Sequence, residues 1–266
     1  MPLRVSGDEK MHDIGDRCQR FSEGKRAALP LVCESSHFIL SSGTARATRA
    51  VVESRAMNVA QLRQEYMRSG LSEQDAGADP LRLFSAWLQD AVQAGLPLPN
   101  AMTLATVTPE GAPDARIVLL KGLEHGGFAF YTNYSSRKAR QLAARPAACL
   151  VFQWSELERQ VRIEGAVEKV SAADSDAYFS SRPLGARLSA WASEQSATVA
   201  SRQVLESAMQ EARKRHGDSP PRPAHWGGYR VLPQRMEFWQ GRADRLHDRL
   251  LYTRADAGWK IERLAP

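Results

Sequence analysis

AACLVFQW at 147–154 and RQVRIEGAVEKV at 159–170 decide the fold class. Both are strand-sized apolar runs, and only four residues lie between them, so they read as consecutive strands joined by a tight turn. The same texture extends in both directions. Upstream come AMTLATVT (101–108), a turn at Pro109-Glu110-Gly111, ARIVLLKG (115–122) and GFAFYTN (127–133). Downstream come GYRVLP (228–233), QRMEFWQG (234–241), RLLYT (249–253) and GWKIERL (258–264). Many short strands with tight turns predict an antiparallel barrel or sandwich.

Helices are expected around this sheet, giving an α+β arrangement with a β-barrel core. One runs from an Asp79 cap and Pro80 to Gly95, with Leu81, Phe84, Leu88, Ala91 and Val92 on its apolar face. Asn58 caps a shorter one ending at Gly70. Ser136–Ala144 is a third, Ser171-Ala172-Ala173-Asp174 reads as a capping box opening a fourth, and Thr198 to about His216 makes a fifth. GDSPPRP (217–223) then forms an exposed loop. No fixed-period repeat is present.

The chain divides near residue 57. Residues 1–56 hold nine Lys/Arg, seven Asp/Glu and two aromatics, with no sustained periodicity, and are expected to be a disordered extension. Their acids and the lack of a clean apolar stretch argue against a signal or transit peptide. A reading frame opened upstream of a start at Met57 would give the same break in composition. Residues 57–266 form the folded domain.

The 266 residues carry 36 Lys+Arg against 30 Asp+Glu, a net charge of +6. The basic residues are interspersed with acids, so the balance favours a small anionic ligand over nucleic acid. No apolar run is long enough to span a membrane. Three cysteines, Cys18, Cys33 and Cys149, fit neither a disulfide framework nor a metal site and point to a reducing, cytoplasmic setting.

Chemistry is carried by basic residues at strand ends and turns: Arg116, Lys121, Arg137, Lys138, Arg182, Arg245 and Arg249. Converging guanidinium groups match a phosphate, and Arg137-Lys138 follow a helix start where backbone N–H groups add to an anion site. An ordinary solvated turn is the alternative for each one taken singly. If RLHDR (245–249) is extended, Arg245, His247 and Arg249 project from one face. Trp239 offers an indole to a flat ligand or to the core. The chain has no GxGxxG, P-loop or GxSxG motif.

The motifs RIVLLK (116–121), FYTN..SRKA (130–139), LERQVRIEG (157–165), YFSSRP (178–183) and EQS (194–196) continue into WGGYRV (226–231), EFWQG (237–241) and RLHDR…RLAP (245–266). Together they resemble the pyridoxine/pyridoxamine 5′-phosphate oxidase family over about residues 57–266. The resemblance implies an FMN-binding split β-barrel, working as a homodimer with flavin between subunits. Its implied reaction oxidises pyridoxine or pyridoxamine 5′-phosphate to pyridoxal 5′-phosphate, with dioxygen giving hydrogen peroxide. The implied FMN contacts are Arg116, Lys121, Tyr131, Thr132, Arg137, Lys138, Gln160, Gln195, Ser196, Trp239 and Arg249. The implied substrate contacts are Lys121, Tyr178, Arg182, Arg245 and His247, the last two also being the catalytic pair. Arg63 and Tyr66 match a segment that folds over the substrate in the family.

One position departs from the family pattern. Ala186 stands where a serine usually helps hold the substrate phosphate, which predicts weaker substrate binding. The competing readings are a non-catalytic FMN or pyridoxal phosphate carrier and another split-barrel flavin reductase. The intact RLHDR segment favours the oxidase.

Overall fold

A computed structural model describes residues 70–266. The extension 1–56, the helix from Asn58 and the Arg63/Tyr66 assignment lie outside the described residues.

Two helices come first, α1 (Glu73–Ala76) and α2 (Pro80–Gln93). The Asp79 carboxylate accepts the Leu81 N–H at 2.9 Å, and Pro80 occupies a position whose N–H would have no helical partner. The buried face differs from the expected stripe. Leu83 and Trp87 are buried alongside Phe84 and Ala91, whereas Val92 is 58% exposed. The reason is aromatic packing: Phe84 meets Phe128 and Phe152 with ring centroids 4.9 and 4.8 Å apart, and Trp87 meets Phe238 edge-on at 5.3 Å. Burying rings of this size outweighs one exposed valine.

The strands are β1 (Ala101–Val107), β2 (Pro113–Leu119), β3 (Gly122–Glu124), β4 (Gly127–Asn133), β5 (Ala147–Trp154), β6 (Arg159–Lys169), β7 (Trp226–Gln240), β8 (Asp248–Ala255) and β9 (Gly258–Arg263). They form a sheet in the order β2-β1-β5-β6-β7-β4-β3, with β8 added to β7 and β9 to β8. Every pairing is antiparallel. The curled sheet closes on a core that includes Leu104, Phe130, Leu150, Ile163, Val231 and Tyr252, as the split-barrel expectation required.

GYRVLP and QRMEFWQG are one strand rather than two. Pro233 suggests a break because it cannot donate to a ladder. A bulge absorbs it: Glu164 faces Arg235 and Gly165 faces Pro233, which leaves Gln234 without an opposite number on β6. Gly165 has to be glycine, since a Cβ there would sit 1.9 Å from the Leu232 carbonyl oxygen. On its other edge β7 pairs with β4 along Trp226–Val231 and with β8 along Arg235–Gln240. The long strand is thus a spine with a different neighbour at each end.

The remaining helices are α3 (Arg137–Ala144), α4 (Ala172–Ser181), α5 (Leu184–Ala192) and α6 (Arg202–His216). Ser136 and Ser171 cap α3 and α4 as expected, accepting N–H groups from Ala139 and Asp174. Helix α6 starts four residues later than expected. Helix α5 was not expected from the sequence.

Candidate active site

Strand β2 brings Arg116 against the start of α3. Its guanidinium donates to the Leu104 carbonyl at 3.1 Å, the Thr106 hydroxyl at 2.6 Å and the Gln141 side-chain oxygen at 3.1 Å. It also pairs with Asp114 at 2.8 Å. The same carboxylate pairs with Arg137 at 2.9 Å and accepts from the Gln141 amide at 2.8 Å. That amide hydrogen bond is the main reason the Asp114 carboxyl lies below its ordinary range, with Arg116 and Arg137 helping and burial opposing.

Lys138 lies on the next position of α3. Its ammonium donates to Gln195 at 2.7 Å and to Thr132 at 3.3 Å, and the Arg137 N–H donates to Ser196 at 3.2 Å. Burial lowers the pKa of Lys138, and the nearby Arg116 charge lowers it further. Arg116 and Arg137 share one carboxylate, and the Lys138 ammonium beside them has no carboxylate of its own among the described residues, an excess of two positive charges. An anion at this spot would relieve both the burial cost and the mutual repulsion.

A cleft of about 510 Å³ joins this cluster to a second wall. It is lined by Arg116, Lys121, Tyr131, Thr132, Lys138, Tyr178, Arg182, Ala186, Gln195 and Trp226, among others. Tyr131 stacks on Tyr178 with centroids 4.0 Å apart, and on Trp226 at 5.5 Å. The Arg182 guanidinium sits 4.5 Å above the Trp226 ring. Its Nη1 is buried without a hydrogen-bond partner, and burial lowers its pKa. A buried charged donor with nothing to donate to is costly, so the geometry asks for an anionic acceptor.

The other expected residues assemble elsewhere. Gln160, Trp239 and Arg249 stand directly abreast on β6, β7 and β8. His247 packs on Trp239 with rings 4.7 Å apart. Arg249 donates to Glu237 at 2.8 Å and to the Ala265 carbonyl at 2.7 Å, and buried Glu237 also takes Arg162 at 3.2 Å. RLHDR is not extended, which corrects the expectation of a single row. Residues 243–245 form a short 3-10 turn in which Asp244 and Arg245 have φ of 55° and 60°. Left-handed non-glycine residues are typical of strained functional turns.

Sequence reasoning missed Asp114, Gln141, Thr106, Glu237 and Trp226. The first three are buried or half-buried polar residues that make sense only once β1, β2 and α3 meet. Trp226 was visible only as part of WGGYRV.

Two family descriptions match in chain order: "Pyridoxamine 5'-phosphate oxidase" over residues 88–216 and "Pyridoxine 5'-phosphate oxidase C-terminal dimerisation region" over 226–266. A pyridoxine/pyridoxamine 5′-phosphate oxidase of Burkholderia cenocepacia (strain HI2424) is 58% identical over 211 residues, covering 78% of this chain and 99% of its own. The chain belongs to the pyridoxine/pyridoxamine 5′-phosphate oxidase family. A relative of the same description from Ralstonia nicotianae is 59% identical over 210 residues, covering 79% of this chain and 99% of its own. Among solved structures, PhzG from Burkholderia lata in complex with tetrahydrophenazine-1-carboxylic acid aligns with a TM-score of 0.72 and 30% identity, covering 76% of this chain and 100% of its own. An FMN-binding protein of Nostoc punctiforme related to this oxidase aligns at 0.58 with 22% identity, covering 71% and 100%, and supports the split-barrel fold. Oxidases of this family use FMN and serve vitamin B6 metabolism. No helix among the described residues is long and apolar enough to cross a membrane.

Proposed function

We propose that this chain oxidises pyridoxine or pyridoxamine 5′-phosphate with FMN in a cleft completed by a second copy of itself. One observation carries the reading. A single cleft is lined at two places that want an anion: by Arg116 and Lys138, beside Arg137, in a cluster with two excess positive charges, and by Arg182 with its orphaned Nη1. Coenzyme and substrate are both phosphate monoesters, so two sites in one cleft match two phosphates.

The donor set fits FMN. Arg116, Arg137, Lys138, Thr132 and Ser196 would hold its phosphate and ribityl chain, with Lys121, Tyr131 and Gln195 beside them. Gln160, Trp239 and Arg249 would complete the site from the other copy. Their place on the spine supports this: Gly228, opposite Tyr131, and Trp239 are eleven residues apart on β7, about 36 Å of strand. That contour is an upper bound on their separation, and a spacing of this order favours the two groups serving different flavins. The chemistry FMN would supply when bound is acceptance of a hydride equivalent from substrate C4′ and, with protons, two-electron reduction of dioxygen to hydrogen peroxide.

The chain's own residues bind and orient. Tyr178 and Arg182 would take the substrate phosphate, with Lys121 alongside. His247 accepts the Arg242 backbone N–H at Nδ1, 3.1 Å away, so a neutral ring carries its proton on Nε2. His247 would therefore donate a hydrogen bond to the substrate, while the cation of Arg245 stabilises charge developing at C4′. The odd cysteine count and the B6 role both support a cytoplasmic setting.

The test is to purify the yellow holoenzyme, add pyridoxine 5′-phosphate in air and follow peroxide. Equal formation of pyridoxal 5′-phosphate and peroxide is expected. A colourless protein that does not take up FMN would overturn the reading. NAD(P)H consumption without B6 turnover would favour a flavin reductase, and flavin or pyridoxal phosphate binding with no turnover would favour a carrier.

A further inference from the structure

We infer that Trp226 is the positioning residue that sets phosphate selectivity, acting through Arg182; the inference rests on the substrate site proposed above. Arg182 leaves α4 at its C-terminal cap, where the backbone is extended (φ −74°, ψ 148°) and does not itself fix the side chain. Aromatic faces do so instead. The guanidinium carbon lies 4.5 Å from the Trp226 centroid and 5.7 Å from that of Phe179. Phe179 in turn meets Trp226 edge-on at 5.1 Å, and both rings are buried. Arg182 therefore rests on a two-ring cradle.

The cradle has a specific consequence. An arginine held by a carboxylate has its charge neutralised and its donors occupied, and Arg116 and Arg249 are held in that way. An arginine held by π faces is fixed in place while its N–H groups stay available. Nη1 of Arg182 is buried with no acceptor, as that arrangement produces. Trp226 is itself fixed. It begins β7 opposite Asn133, its N–H donates to the Pro223 carbonyl at 3.0 Å, and its own carbonyl accepts from Arg222 at 2.8 Å. Tyr131 and Tyr178 lie nearly parallel to its ring, at 13° and 10°. With Ala186 contributing no hydroxyl to this part of the cleft, recognition of the phosphate depends all the more on how Arg182 is aimed.

The experiment uses the FMN-loaded enzyme and compares Trp226→Phe, Trp226→Leu and Arg182→Met. Inorganic phosphate affinity is measured by calorimetry, alongside KM and kcat for pyridoxine 5′-phosphate. Loss of a partly buried cation–π contact predicts affinity for inorganic phosphate weaker by about three- to tenfold, larger for Leu than for Phe. A parallel rise in KM, with kcat much less affected and FMN content retained, is the companion expectation. In an Arg182→Met background, Trp226→Phe should change phosphate affinity no further. Phosphate affinity equal to that of the parent enzyme in Trp226→Phe would overturn the inference, as would additive effects in the double variant. If Trp226→Leu does not fold, Trp226→Phe alone decides. The calorimetric arm does not depend on turnover, so failure of the parent enzyme to oxidise a B6 phosphate counts against the proposed function and not against this role of Trp226.

Discussion

Replacing Gln141 by leucine would separate coenzyme phosphate binding from coenzyme ring binding. Gln141 is 3% exposed and has a near-isosteric apolar substitute. Its side chain accepts from Thr106 at 2.6 Å and Arg116 at 3.1 Å, and donates to Asp114 at 2.8 Å. Two of these three bonds involve a charged group. Each former partner keeps another contact: Arg116 still donates to Thr106 and pairs with Asp114, and Asp114 still holds Arg137. The fold should therefore survive, at a cost of about 3–6 kcal/mol in stability for two charge-assisted bonds and one neutral one, the retained contacts offsetting part of the sum. Arg116 would lose one of its restraints and would have to be ordered by the ligand. Immobilising such a side chain costs about 0.5–1.5 kcal/mol, which translates to a two- to tenfold weaker FMN complex. Riboflavin lacks the phosphate, so its affinity should not move. Quenching of flavin fluorescence on titrating apoenzyme reads both constants. Equal weakening for FMN and riboflavin would refute the reasoning, because it would mean that the cleft had been generally disturbed.

Ala186→Ser should add a hydroxyl beside the substrate phosphate and lower KM by about tenfold if the bond is worth the 1.5 kcal/mol typical of a charged partner; an unchanged or higher KM would count against the assignment. Mixing an Arg182→Met protein with an Arg249→Met protein under exchange conditions should restore about a quarter of parental activity, since half the dimers are mixed and each has one intact site. No recovery would mean that each site is built within one chain. Alkaline stability should fall because burial pushes the phenols of Tyr229 and Tyr252 up to about 12, with Tyr134 adding to the first and Asp79 and Glu73 to the second. The folded state keeps protons that the unfolded chain releases near the ordinary tyrosine value, so stability is full below about pH 10 and is lost from there to about pH 12, at roughly 1.4 kcal/mol per pH unit per group. Urea midpoints that stay flat over that window would contradict this.

The sheet was legible because strand texture is local. The runs at 101–108, 127–133 and 147–154 became β1, β4 and β5 with small shifts at their ends. Pro233 misled because the bulge that accommodates it is made by Gly165 on a different strand, and no window around Pro233 contains that information. Helix α5 escaped because Gly185, Arg187 and Ser189 dilute its pattern, although Leu184, Leu188 and Trp191 have helical spacing. At the site, charged residues in recognisable motifs could be named from the sequence. Their braces could not: Asp114, Gln141 and Glu237 earn their roles through long-range pairing that only the folded sheet creates. The extended reading of RLHDR failed for a related reason, since a turn with two left-handed residues leaves little trace in residue type.

The two ends of β7 explain why such a site would be split between copies. At one end, pairing with β4 sets Tyr131 beside the cationic cleft; at the other, pairing with β8 sets Arg249 beside Trp239. Each group is braced in its own way. Asp114 and Gln141 brace the cationic cluster that faces the first, and buried Glu237 with the Ala265 carbonyl braces Arg249 at the second. If, as proposed, the two half-sites serve different coenzymes within one chain, flexibility in the strand between them would gain nothing. Association would then bring two braced halves to one coenzyme without reordering either. A ligand that bridges them binds only the associated form and so stabilises it by mass action. The C-terminal tail then has a structural reason to be part of the assembly: through Ala265 it holds the Arg249 that the neighbouring cleft would use.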